Sequence, residues 1–83
     1  LDNVEKIDSI IDKFSIGWSV DRLSTVDKAI LRIAVYEIMF DDDIPNKVSV
    51  NEAVELAKEF SEDKAPSFIN GVLGKVVRYK EAN

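Results

Sequence analysis

The stretch "TVDKAILRIAVYEIMF", residues 25–40, decides the fold. Val26, Ala29, Ile30, Ile33, Ala34, Val35, Ile38 and Met39 recur at the three- and four-residue intervals of an α-helix. Together they cover well over half of its circumference, more than a surface helix needs. The stretch is therefore predicted to be a central helix with others packed around it.

Toward the N-terminus, Val4, Ile7, Ile10, Ile11 and Phe14 hold the same spacing, with Asp2, Glu5, Lys6, Asp8, Asp12 and Lys13 between them. This predicts an amphipathic helix ending near Gly17. In "WSVDRLS", residues 18–24, Trp18, Val20 and Leu23 alternate with polar residues over too short a span for a strand. It reads as a helical turn and linker that buries Trp18.

Toward the C-terminus, the linker "DDDIPNK" follows, in which Pro45 forces Ile44 toward an extended backbone. "SVNE", residues 49–52, has the form of a capping box, Ser49 accepting from the Glu52 amide while Glu52 reaches back. A helix from about Val50 to Phe60 is expected, burying Ala53, Val54, Leu56, Ala57 and Phe60, with Lys58 favouring its negative end. After "SEDKAPS", where Pro66 suits a first turn, a last helix runs from about Ala65 to Lys80. It carries Phe68, Ile69, Val72, Leu73, Val76 and Tyr79 on its apolar side. The expected product is one all-α domain over residues 1–83, a small helical bundle of three to four main helices.

Composition narrows the function. The 83 residues are 46% hydrophobic and 33% charged, in the range of globular proteins. No apolar run approaches the roughly 18 residues needed to span a bilayer, and no signal-type segment is present, so a cytoplasmic location is expected. With no Cys and no His, thiol chemistry, histidine-based triads and the usual zinc sites are excluded, and no cofactor or metal is implied. A net charge of −5 argues against a domain that grips nucleic acid through a broad basic surface. The chain begins at Leu1, already in helical register, which reads as a piece of a longer protein.

The residue clusters mostly take structural readings. Asp41, Asp42 and Asp43 are consecutive in a linker and lack the glycine-containing pattern of a calcium loop, so they read as a solvated linker or cap. Glu37, on the most apolar helix, is expected to pair with Arg32, Arg22 or a backbone donor. Asp21 and Arg22 are expected to form a local salt bridge. Lys64, Phe68, Lys75 and Arg78 form the one arrangement resembling a nucleic-acid surface, although Phe68 is by default a core residue.

At "GWSVDRLSTVDKAILRIAVYEI", "IPNKVSVNEAVELAKEF" and "SFINGVLGKV" the chain resembles the C-terminal half of the NusB family of bacterial transcription antitermination factors. The likeness runs over residues 4 to about 77, in three blocks in the same order. The resemblance implies the C-terminal subdomain of a two-subdomain all-α fold, without the family's arginine-rich N-terminal subdomain. It implies a non-catalytic adaptor that binds boxA RNA together with the ribosomal small-subunit protein NusE in the transcription elongation complex, promoting processive transcription of ribosomal RNA operons. Phe68 then becomes a base-contact candidate, with Lys64 as a phosphate contact and Asn70 bonded to backbone or RNA. Asp27 becomes a candidate for the protein partner, with Arg22 and Lys28 as neighbours.

Two further expectations follow. Without the N-terminal subdomain, apolar surface on the first two helices should lie uncovered and invite a homodimer. The turn dipeptide Asn70-Gly71 should be helical, Gly71 being kept because a neighbouring helix leaves no room for a Cβ. The alternatives are a NusB-like RNA-binding domain serving a ribosomal RNA cytosine methyltransferase, and a purely structural helical module.

Overall fold

The computed structural model describes residues 3–17 and 19–83. Helix α1 spans Val4–Phe14, a 3-10 turn covers Val20–Arg22, and helices α2, α3 and α4 span Thr25–Phe40, Asn46–Phe60 and Ala65–Ala82. No strand occurs among the described residues. The reading of Trp18 as buried falls outside them.

Each boundary has a local cause. Gly17, with φ +86°, turns the chain after α1, a left-handed conformation that glycine takes without steric cost. The Asp12 carboxylate then accepts from the Val20 amide and fixes the 3-10 turn. Ser24 caps α2, its hydroxyl accepting from the Asp27 amide at 3.1 Å.

Helix α3 starts about four residues earlier than the capping-box reading placed it. Pro45 occupies the N-cap, and the amides of Val48 and Ser49 both donate to its carbonyl, so Ser49 lies one turn inside the helix. Pro45 supplies the preset φ of a helix start, and that outweighs the Ser-x-x-Glu pattern. Ser49 is buried, and its hydroxyl has no hydrogen-bond partner among the described residues.

The core gathers Ile11 of α1, Leu31, Val35 and Ile38 of α2, Ala53 and Ala57 of α3, and Ile69, Leu73 and Val76 of α4. Ala53 and Ala57, one turn apart, present small side chains where α3 lies against α2 and α4, whereas Leu56 and Phe60, expected to be buried, lie off that face and are 40% and 61% exposed. Polar groups tie the periphery. Arg32 of α2 donates to Asp8 of α1, and Phe14 meets Tyr79 of α4 at 5.4 Å between ring centroids, with the Lys13 ammonium over the Tyr79 ring. The Lys80 ammonium of α4 donates to the Ile38 carbonyl and to Asp42, so the acidic linker is tied to α4 through one of its three carboxylates.

Helix α2 has two apolar faces. Ile30, Leu31, Ala34, Val35 and Ile38 point into the core. Val26, Ala29, Ile33, Tyr36 and Phe40, at alternating intervals of three and four, face outward. Ile33 is 56% and Tyr36 46% exposed. The stretch that decides the fold is thus central on one side and open on the other.

Candidate nucleic-acid and partner interface

Four of the six sequence-derived candidates converge. Arg22 from the 3-10 turn, Asp27 from the first turn of α2, Lys64 at the N-cap of α4 and Phe68 one turn further line a single depression, closed by Leu23, Ser24, Glu62 and Ala65. Residues about 40 apart in sequence meet because the start of α4 packs beside the start of α2.

Their chemistry differs around the rim. Phe68 is half-buried and packs against the core, so one side of the ring supports the bundle while the other lines the depression. Lys64 and Arg22 are exposed cations. Asp27 is half-buried, and its Oδ1 accepts a 2.6 Å hydrogen bond from the Ser61 hydroxyl at the end of α3. An aromatic face beside a cation suits a base and its phosphate. A carboxylate a few residues away suits a basic protein side chain.

The remaining candidates stand apart. Lys28 is half-buried on α2 and does not line the depression. Asn70 is exposed and lines a separate hollow between α3 and α4 with Asn51, Val54 and Lys58. It makes no backbone hydrogen bond through its side chain among the described residues. Gly71 corrects the close-packing expectation: a Cβ built there meets nothing within 4 Å, because the residue faces solvent.

Two expected ion pairs do not form among the described residues. Arg32 gives its fork to Asp8, leaving Glu37 to line a groove with Val4, Ile7, Ile33 and Tyr36. Among the described residues Arg22 forms no ion pair with Asp21; both side chains are exposed, where such a pair is worth about 0–1 kcal/mol. Ser61 was not singled out in the sequence, since a serine after a helix carries no signal of what its side chain meets across the bundle.

Among the described residues no group of His, Cys, Asp or Glu is arranged to hold a metal ion, and no helix is long and apolar enough to cross a membrane. The fold is that of a small all-α bundle. The sequence profile of the NusB family matches residues 1–78, and the chain belongs to that family. It is 62% identical over 74 residues to the transcription antitermination protein NusB of Natranaerobius thermophilus, covering 89% of this chain and 53% of that protein. It is 59% identical over 78 residues to the protein of the same name from Acetivibrio thermocellus, covering 94% and 54%. A solved structure of T. maritima NusB superposes with a TM-score of 0.88 at 39% identity, over 93% of this chain and 54% of that one. The chain thus spans about half the length of the relatives it matches.

Proposed function

We propose that the chain forms the RNA- and partner-engaging part of a NusB-type transcription antitermination factor, a non-catalytic adaptor that binds boxA RNA together with NusE. The observation that carries this reading is the shared depression, lined by Phe68 and Lys64 from the start of α4 together with Asp27 and Arg22. Such adjacency lets one small surface meet a nucleotide and a basic protein at once. The shared name of the relatives favours antitermination over service to a methyltransferase. With a net charge of −5, this part supplies few phosphate contacts, and basic residues elsewhere in the assembly carry most of the salt-dependent affinity.

The test is a titration of the protein with boxA RNA in the presence of NusE, against a scrambled RNA of the same length. Preference for boxA is the expected result. Equal affinity for the two RNAs would sink the reading.

A second copy of the chain is the proposed occupant of the outward seam of α2. Val26, Ala29, Ile33, Tyr36 and Phe40 repeat at the interval of a two-helix seam and are all exposed, as a self-complementary apolar contact requires. Sedimentation equilibrium should show dimers that Ile33→Lys dissociates. A monomer at all accessible concentrations would exclude this contact.

A further inference from the structure

Asp27 occupies the third position of α2, three residues after its cap Ser24. An acidic side chain there has a natural local partner: it can turn back to the cap residue's amide and close a capping box. In this structure half of that box is formed, since the Asp27 amide donates to the Ser24 hydroxyl at 3.1 Å. The carboxylate is engaged elsewhere. Its Oδ1 takes the Ser61 hydroxyl at 2.6 Å, a short charge-assisted bond across 34 residues of sequence.

Ser61 is itself well placed to hold that bond. It is the C-cap of α3, in an extended conformation, with its amide donating to the Ala57 carbonyl at 2.9 Å. Its backbone is therefore anchored to α3 while its hydroxyl reaches α2. The Asp27 Oδ2 has no hydrogen-bond partner among the described residues, and it belongs to a side chain lining the depression.

We infer that Ser61 is a positioning residue for the partner contact: its hydroxyl draws the Asp27 carboxylate away from the α2 N-terminus and presents Oδ2 to a basic side chain of the bound protein. This rests on the partner reading of Asp27 given above. Removing the hydroxyl frees the carboxylate to close the capping box, so the lost bond is replaced locally. Fold stability then changes little while binding weakens, a combination that a merely structural serine would not give.

The experiment compares the parent protein with Ser61→Ala, Ser61→Thr, Asp27→Ala and the Ser61→Ala/Asp27→Ala double variant. NusE binding is measured by calorimetry, and the Asp27 χ1 rotamer by NMR scalar couplings. Ser61→Ala should weaken NusE binding about 3- to 10-fold, the scale of one ordinary net hydrogen bond, and shift the Asp27 rotamer. Ser61→Thr, which keeps the hydroxyl, should restore both. Ser61→Ala should add nothing once Asp27 is gone. An unchanged rotamer in Ser61→Ala, or an equal loss of affinity in the Asp27→Ala background, would overturn the inference. If Asp27→Ala binds NusE like the parent, the partner reading of Asp27 fails first, and the rotamer measurement still reports whether Ser61 sets the side chain.

Discussion

Asp8 on α1 receives the guanidinium of Arg32 on α2 at two points, Nε to Oδ1 at 2.8 Å and Nη2 to Oδ2 at 2.7 Å. The fork crosses the surface between the two helices with a planar two-point geometry that a single-point lysine contact would not reproduce. Bonding to Asp8 raises the Arg32 pKa above its already basic ordinary value. A raised pKa contributes stability that is lost only as pH climbs past that ordinary value, so Arg32 adds no pH dependence near neutrality.

Arg32→Lys and Asp8→Asn should each lower the melting temperature, and the double variant should melt no lower than the worse single one. Thermal circular dichroism of the four proteins closes the cycle. Strictly additive losses would show that the two side chains act independently.

Gly71→Ala should raise stability by about 0.5–1 kcal/mol, because the site is open and alanine is the better helix former. Urea unfolding measures it. A loss of stability would mean that a neighbour approaches Gly71 in solution.

Ser49→Ala should be neutral or stabilising by up to about 1 kcal/mol, since it removes a buried hydroxyl with no partner. Chemical denaturation reads the sign directly. A cost above about 1 kcal/mol would show that the hydroxyl finds a bond in solution.

Phe68 serves the bundle and the surface together, so two substitutions are needed. Phe68→Ala should cost about 1–3 kcal/mol of stability, discounted from a full core site because the ring is half-buried. Phe68→Leu should keep most of the packing yet lose base stacking, weakening RNA binding with little change in melting. RNA affinity untouched by Phe68→Leu would return Phe68 to a packing role alone.

Much of the bundle was legible because the apolar spacing of α1, α2 and α4 is strong and local. The errors arose where two local signals competed or where the answer lay across the bundle. At the start of α3, Pro45 and Ser49 both offered a helix start, and the fixed φ of proline prevailed. Asn70-Gly71 was correctly read as helix, but the reason given for Gly71 required knowing which face of α4 is covered. The paired roles of Arg32 and Glu37 were equally out of reach, since Asp8 lies 24 residues from Arg32. In the candidate site, Arg22, Asp27, Lys64 and Phe68 were each named from the family resemblance, whereas their convergence on one depression and the hold of Ser61 on Asp27 are properties of the folded chain.

Helix α4 packs on each of the other three helices and supplies Ile69, Leu73 and Val76 to the centre of the core. It is also the last of them to be synthesised. At about 5–20 residues per second, roughly 2–8 s separate completion of α2 at Phe40 from completion of α4 at Ala82. Throughout that interval the inward face of α2 has α1 and the emerging α3 to meet but still lacks α4, and its outward face has no cover inside this bundle. The nascent chain is therefore most exposed to chaperone capture and aggregation before Lys80 reaches the Ile38 carbonyl, and slow translation across residues 65–82 would prolong that exposure.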